Sequence, residues 1–252
     1  MVNKVINNIK IFYKIFFKNL YNFFFLLLFV SRIKGCSGLA KKKRYGNLKN
    51  LFEAHFQFNK NHPCRAELFA ALSLAKQNPL TIIETVSSAW GVDSSNLFDD
   101  YCNSFGGKLI SVDNRVEPML SLRRKLTKHS RFFCEDSLKF LSNISRLRLK
   151  QKVKKFIYLD SWDVDWKNPI PAAIHGLAEF LFVLPYLRPG DILLVDDSPK
   201  NSTILEKVQS KKIRKIYDKT FLKSKIRGGK GTLILNYLKS ITGLKLMNHK
   251  YQ

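Results

Sequence analysis

Short apolar runs, each ending in an acidic or small polar residue, recur along the central part of the chain. Stretches with helical spacing of apolar positions separate them. The runs lie at residues 80–85, 108–112, 131–134, 156–159 and 192–195. Strands that alternate with helices are typical of βαβ units, which build parallel sheets covered by helices on both faces. The pattern therefore predicts an α/β fold with a doubly wound, mostly parallel sheet.

Two further apolar runs, residues 212–217 and 232–236, flank a glycine-rich turn at residues 228–231. We predict that both are strands, which brings the sheet to seven. Along the chain we expect four parts. They are an N-terminal extension (1–45), a helical connector (46–80), the main domain (81–240) and a basic tail (241–252).

The N-terminal extension is both basic and apolar. Residues 11–30 are rich in Phe, Leu and Ile, but Lys14 and Lys18 interrupt them, whereas a spanning helix needs about 20 apolar residues. A secretory signal needs a small-residue cleavage site, which is poor around Ser31. A helix that lies on an anionic membrane surface with snorkelling lysines fits best. A spanning helix, a signal and packing against the domain remain alternatives.

The net charge of +25 lies mainly at the two ends of the chain. Residues 1–50 contain 11 Lys or Arg and no acid, and residues 206–252 contain 13 Lys or Arg and two acids. A nucleic-acid enzyme usually carries such charge around its site, so we do not expect nucleic acid as the substrate. The four cysteines have wide, irregular spacings, which indicates reduced thiols in a cytoplasmic protein. Any association with a membrane would come from the N-terminal extension.

Carboxylates follow five predicted strands in succession. They are Glu84, Asp113, Asp136, Asp160 and the pair Asp196-Asp197. Ligands of open α/β sheets bind beyond the carboxyl ends of the strands. Capping of the next helix explains any one of these acids, but five in a row is a pattern that 19 acids in 252 residues do not readily give.

The spacing between Gly91 and Asp113 is 22 residues. That is close to the distance at which an acid ending the second strand accepts hydrogen bonds from ribose hydroxyls. The turn after the first strand lacks the G-x-G-x-x-G set that a pyrophosphate requires. A ribose acid without phosphate-binding glycines points to a nucleoside cofactor without phosphates.

Several segments together resemble the successive motifs of class I S-adenosylmethionine-dependent methyltransferases, in particular the branch that methylates oxygen of small molecules and sugars. They are ETVSSAWGVDS (84–94), ISVD (110–113), EDS (135–137), LDSWDVDW (159–166) and LRPGDILLVDD (187–197). The resemblance covers about residues 65–238 and implies a Rossmann-like fold that binds S-adenosylmethionine.

By this resemblance, the turn after the first strand cradles the methionine part of the cofactor. The turn residues concerned are Glu84, Ser87, Ser88, Trp90 and Gly91. Asp113 binds the ribose, and Asp136 with Ser137 borders the adenine. One position departs from the family pattern, because Val86 stands where glycine is usual. A β-branched residue disfavours positive φ and crowds a backbone that touches a cofactor.

Asp160, Asp196 and Asp197 end neighbouring predicted strands and form an oxygen-rich set that suits Mg²⁺. A metal there would clamp vicinal hydroxyls and lower a hydroxyl pKa. The alternative is that Asp160 contacts the cofactor while the Asp pair orients a loop. Asp160 and His175 are the catalytic candidates, with His175 as a general base, although a lone helix histidine more often packs or faces water.

The sequence thus predicts an S-adenosylmethionine-dependent O-methyltransferase for a small-molecule or carbohydrate acceptor, with Mg²⁺ as a candidate second cofactor. Two alternatives remain. The chain is a catalytically impaired binding or scaffold protein of the same fold, which Val86 favours, or it methylates RNA or protein.

Overall fold

A computed structural model describes residues 36–57, 65–87, 93–147, 152–166, 168–198, 211, 215, 219, 229–240, 243–245 and 247. In this part of the chain, six strands form one sheet. They are β1 (Cys36–Ser37), β2 (Leu80–Glu84), β3 (Gly107–Asp113), β4 (Ser130–Cys134), β5 (Lys154–Leu159) and β6 (Ile192–Val195). The order across the sheet is β1-β4-β3-β2-β5-β6. All neighbours are parallel except β1, which pairs antiparallel with β4.

Seven α-helices accompany the sheet among the described residues. They are α1 (Leu48–His55), α2 (Arg65–Ser73), α3 (Ser94–Phe105), α4 (Val116–Lys125), α5 (Ser137–Ser142), α6 (Ile170–Val183) and α7 (Thr232–Leu238). Short 3-10 helices follow α5 and α6, at Ile144–Leu147 and Leu184–Tyr186. The five strands predicted between residues 80 and 195 are confirmed, with shifts of two residues or fewer at their ends.

The helices cover both faces of the sheet because alternate strand residues point to opposite sides. On one face, Ile82 and Phe156 pack with apolar side chains of α1, α2, α3 and α4. On the other face, Ile83 and Ile157 pack with α5, α6 and α7. The architecture is therefore the predicted α/β doubly wound sheet, in three layers.

The segments before β2 belong to this packing. Residues 46–80, predicted as a connector, include α1 and α2, whose Phe52 and Leu68 are part of the first core cluster. From the predicted extension, β1 pairs with the sheet, and Lys42 forms ion pairs of 3.0 Å with both Asp99 and Asp100 of α3. Residues 11–30 lie outside the described part. Within that part, no helix has the length and apolar character needed to cross a membrane.

One sequence prediction is wrong. Residues 232–236, expected to be a strand, lie in α7, which begins after Gly231. A short apolar run does not distinguish a strand from a buried helix segment by periodicity, and here Ile234 packs into the same core as Phe180 of α6. The other predicted strand, 212–217, lies outside the described residues except for Lys215, which is helical. The sheet therefore has six strands in the described chain, against the seven expected.

Candidate active site

The centre of the sheet contains a switch in the direction of winding. From β2 the chain continues to β3 and β4 on one side, then returns to β5 and β6 on the other. In open α/β sheets, ligands bind where the order reverses, beyond the carboxyl ends of the strands. We call the space beyond the carboxyl ends of β2 to β6 the crevice. All five predicted carboxylate positions lie at its border.

Glu84, the last residue of β2, is fully buried and bound by three serine hydroxyls. Ser94 donates to Oε1, while Ser95 and Ser111 donate to Oε2 at 2.7 and 3.0 Å. Burial raises the pKa of Glu84 to about 7, against the opposing effect of these hydrogen bonds. The carboxyl group thus ties the start of α3 to β3. The predicted direct contact between Glu84 and a cofactor stays a prediction.

Asp113, the last residue of β3, is where the turn after β2 meets the next strand. Its Oδ2 accepts a hydrogen bond of 3.0 Å from the backbone N–H of Ser87. Arg115 donates three more, from its backbone N–H and Nε to Oδ1 at 2.8 and 3.0 Å, and from Nη2 to Oδ2 at 2.8 Å. A carboxylate has about four lone-pair sites, so these donors fill the Asp113 carboxylate. The Arg115 side chain, 38% exposed, is the donor that faces solvent.

The turn after β2 is described as far as Ser87, and Ser88, Trp90 and Gly91 lie outside the described residues. Val86 lies in the described part of this turn, and its φ is not positive. The backbone therefore accepts this β-branched residue without the left-handed conformation that glycine would favour. That Val86 weakens cofactor binding stays a prediction.

Asp136 and Ser137 follow β4 and begin α5. The Asp136 side chain caps this helix by accepting a hydrogen bond of 3.0 Å from the backbone N–H of Lys139, and the residue is exposed at the crevice. Ser137 is buried, with its Oγ 3.1 Å from Nε2 of His175. Capping thus accounts for the position of Asp136 and leaves its predicted place beside an adenine untested.

His175 of α6 lies in a polar cluster with Ser161 and Glu179. Ser161 Oγ donates to Glu179 Oε1 at 2.6 Å and lies 2.8 Å from His175 Nε2. Because a hydroxyl has one proton, Ser161 gives it to Glu179 and accepts from Nε2. In this arrangement Nε2 carries hydrogen and orients Ser161. The role of His175 as a general base stays a prediction.

Trp162 covers this cluster from the solvent side. Its ring lies 5.1 Å from the His175 ring, and the residue is 56% exposed. Its φ of 66° is unusual for an aromatic residue. Asp197, in the turn after β6, also has positive φ, at 45°. Strained conformations of this kind cluster at functional sites. The two turns that border the crevice after β5 and β6 therefore share this feature.

The carboxylates after β5 and β6 meet at Lys230, which sequence reasoning missed. Lys230 Nζ donates to the carbonyl oxygen and Oδ1 of Asp160, both at 2.7 Å, and lies 3.2 Å from Oδ2 of Asp197. Asp196 faces the sheet, where its Oδ2 accepts a hydrogen bond of 2.5 Å from the Tyr158 hydroxyl. Two acids of the predicted set, Asp160 and Asp197, are thus brought together around an ammonium group, whereas the third, Asp196, binds Tyr158.

The charges of this cluster depend on each other. Burial would lower the pKa of Lys230, but Asp160 and Asp197 hold it above its usual value, so Lys230 stays protonated. Burial raises the pKa of Asp160 and Asp197, and the Lys230 ammonium opposes that change.

The cluster does not fit a divalent metal as these side chains lie. Mg²⁺ binds oxygen at about 2.0–2.1 Å in an octahedral arrangement, and Lys230 already contacts the facing oxygens of Asp160 and Asp197. Among the described residues, no group of three or more His, Cys, Asp or Glu side chains has the geometry to hold a metal ion. The predicted Mg²⁺ site therefore requires that Lys230 leave.

No protein-family model and no curated protein matches the chain. Solved structures do match. The MycE methyltransferase from the mycinamycin biosynthetic pathway, in complex with Mg and SAH, is 16% identical, with a TM-score of 0.48 over 82% of this chain and 53% of that chain. A second crystal form gives 16% identity, a TM-score of 0.46, and coverage of 83% and 49%. The complex with Mg, SAH and mycinamycin VI is 18% identical, with a TM-score of 0.41 over 62% of this chain and 38% of that chain. The chain thus spans about half the length of these structures, or less.

The sheet order, the parallel central strands and the helices on both faces define a Rossmann-like α/β protein. This is the fold that the resemblance to class I S-adenosylmethionine-dependent methyltransferases implied. The site at its switch point is a crevice with acids at successive strand ends.

Proposed function

We propose that the chain is an S-adenosylmethionine-dependent methyltransferase that acts on oxygen of a small molecule or sugar. The observation that carries the proposal is the junction of Asp113 with Ser87. It places an acid at the end of the second parallel strand directly against the turn that follows the first. This is the position from which an acid binds ribose hydroxyls in Rossmann-like folds.

The other residues around the crevice fit a nucleoside cofactor. The turn after β2 contains small residues and no phosphate-binding glycine set, and Asp136 with Ser137 lies one strand further along the same edge. S-adenosylmethionine, when bound, would supply an electrophilic methyl group. Asp113 would hold its ribose, and residues 84–91 would surround its methionine part.

On the acceptor side, the chain offers Asp160 and the His175 cluster. The backbone N–H of Asp160 donates to Thr85 Oγ1 at 3.2 Å, so the turns after β2 and β5 are joined. An oxygen acceptor benefits from a neighbouring group that takes its proton. Asp160 is our candidate for that group because it lies at the switch point, and positioning of the two reactants supplies much of the rate.

A second candidate function has an observation of its own. Arg115 and Ser87 together fill the Asp113 carboxylate, which is the arrangement expected if the chain is a binding or scaffold protein that no longer uses a nucleoside. The two functions differ in a measurable way. A methyltransferase binds S-adenosylmethionine and transfers its methyl group to some member of an acceptor panel, whereas a scaffold protein does neither.

Calorimetric titration with S-adenosylmethionine tests the proposal. The native chain should bind, and Asp113→Asn should weaken binding at least about tenfold, because a hydrogen bond to a charged group is lost. Asp99→Asn is the matched control, since Asp99 is also buried but lies near the amino ends of the strands. Equal affinities of the native chain and Asp113→Asn, or no binding by either the native chain or Val86→Gly, would overturn the assignment.

For the location we propose the cytoplasm, with contact to an anionic membrane surface through the apolar N-terminal residues. Deletion should stop at residue 30, because β1 and Lys42 belong to the folded domain. Sedimentation with vesicles rich in phosphatidylserine should retain the full chain and lose the deleted one. Equal retention of both chains would contradict this proposal.

A further inference from the structure

Lys230 is a long cationic side chain that is almost completely enclosed. The residue is 1% exposed, and lysine is rarely buried to this degree unless it is paired. Its ammonium group has three protons and three oxygen neighbours within 3.2 Å, which are the Asp160 carbonyl, Asp160 Oδ1 and Asp197 Oδ2. The environment of Nζ is therefore that of a bound cation.

The backbone around Lys230 is fixed at this place by its neighbours. The Lys230 N–H donates to the carbonyl oxygen of Asp197 at 3.0 Å, and the next N–H, of Gly231, donates to Ser198 Oγ at 2.9 Å. On the opposite side, a Cβ at Gly176 of α6 would lie 2.7 Å from the Lys230 carbonyl oxygen. The absence of a side chain at Gly176 thus lets α6 approach, and the lysine is held from both sides.

We propose that the Lys230 ammonium is the permanent cation of the Asp160 and Asp197 carboxylates and takes the place that a divalent metal would occupy. The ammonium group lies between the facing oxygens, Asp160 Oδ1 and Asp197 Oδ2, so a hard cation that bridged the two carboxylates there would have to displace it. The crevice therefore works with a built-in cation. This inference depends on the contacts of Lys230 and not on the proposed cofactor.

The role of Lys230 is one of positioning. It holds both the backbone and the side chain of Asp160, and through them the start of the turn that continues to Ser161 and Trp162. The protons of the Lys230 ammonium group point at protein oxygens. Lys230 therefore orders the carboxylates and donates no proton to a substrate. A cation that is part of the chain cannot be removed by a chelator.

Titration with Mn²⁺, followed by electron paramagnetic resonance, tests the inference. The native chain should show no saturable site, with or without ethylenediaminetetraacetate pretreatment. Lys230→Ala leaves three oxygens, two of them charged, around an empty position, and two carboxylates with water suffice for a hard cation. This variant should bind one Mn²⁺ per chain in a saturable manner, at least about tenfold more tightly than any residual, non-saturable binding to the native chain.

Two variants serve as controls. Asp197→Asn combined with Lys230→Ala should lose the new site. Lys155→Ala removes another buried lysine, whose Nζ lies 2.5 Å from Asp191 near the amino ends of β5 and β6, and should create no site because only one carboxylate is exposed by the change. The inference is supported if a Mn²⁺ site appears in Lys230→Ala and in neither control variant. A folded Lys230→Ala chain without such a site contradicts it.

The native chain provides a test that does not depend on the folding of any lysine variant. A saturable Mn²⁺ site in the native chain that Asp197→Asn abolishes would overturn the inference, since metal and Lys230 would then share the carboxylates. A native titration with no saturable site agrees with it.

Discussion

Buried carboxylates lie at both ends of the parallel sheet, and they are bound in different ways. Near the amino ends, Asp99 accepts hydrogen bonds from the Thr127 N–H and hydroxyl at 3.0 and 2.8 Å and from Ser130 Oγ at 2.5 Å, and it pairs with Lys42. Asp191 is bound in a similar way, by the Lys155 N–H and Nζ at 2.7 and 2.5 Å. Each of these acids thus accepts hydrogen bonds from backbone N–H groups and is also paired with a lysine whose side chain is largely enclosed.

At the carboxyl ends, hydroxyl groups bind Glu84 and Asp196, and three further acids are paired with cations. Asp113 is held by the half-exposed Arg115, and Asp160 and Asp197 are held by Lys230. The difference is one of access. Lys42, Lys155 and Lys230 are largely enclosed, whereas Arg115 is half-exposed, so Asp113 is the acid at which a ligand can exchange with a protein donor.

The largest expected effect is on stability and concerns Asp99, near the amino ends of the strands. Asp99→Ala removes an acceptor that several buried donors share, so it should lower the free energy of unfolding by about 4 kcal/mol. Urea denaturation measures this change. The affinity for S-adenosylhomocysteine in the folded fraction should stay the same. A loss below about 1 kcal/mol, the range of an exposed ion pair, would contradict the assigned role.

Glu84 gives the second prediction, which concerns pH. Its pKa is about 7 in the folded chain against 4.5 for the ordinary group, because burial penalises the charged form. A raised folded pKa means that its stability contribution is present below pH 4.5 and is lost as the pH rises through 7. The loss is about 3 kcal/mol. Urea unfolding of the native chain and Glu84→Gln at pH 5 and pH 8 measures it.

In that experiment the native chain should lose stability between the two pH values more steeply than Glu84→Gln does. The difference between the two slopes isolates Glu84 from the other titrating groups. Ser95→Ala is a useful second variant, since loss of a donor to the carboxylate should raise the pKa further and steepen the slope. Parallel slopes for the native chain and Glu84→Gln would show that this carboxyl group does not titrate as described.

The smallest expected effect is on ligand affinity and concerns Arg115, at the carboxyl ends of the strands. Arg115 competes with ribose hydroxyls for Asp113, so Arg115→Ala should tighten binding of S-adenosylhomocysteine by about fivefold, which corresponds to about 1 kcal/mol. Calorimetry measures the change, and Arg124→Ala, an exposed arginine on the same helix, is the matched control. Weaker binding by Arg115→Ala would instead make Arg115 a ligand of the cofactor.

The strands and the acids that follow them were predictable because each reflects a local pattern. An apolar run of four to six residues that ends in Asp or Glu identifies both the strand and its carboxyl end, as β3 and Asp113 illustrate. The helix α7 was not predictable in this way, since TLILNYL is apolar in either periodicity. What decides its structure is packing against α6, which the local sequence does not contain.

The partners of the acids were harder to predict than the acids. Arg115 lies two residues from Asp113, so a hydrogen bond between them was within reach of sequence reasoning. Lys230 is 70 residues from Asp160, and in the sequence it is one lysine among the 44 Lys and Arg residues of the chain. Its only local signal is the surrounding glycines, which indicated a turn and gave no partner.

A crystal structure of the chain with S-adenosylhomocysteine tests the central claim most directly. We predict that the ribose hydroxyls bind Asp113 and that the Arg115 side chain has moved away, while Asp99 keeps its contacts with Thr127 and Ser130. A nucleoside bound elsewhere, with Arg115 still on Asp113, would contradict the claim that the carboxyl end of the sheet is the ligand site.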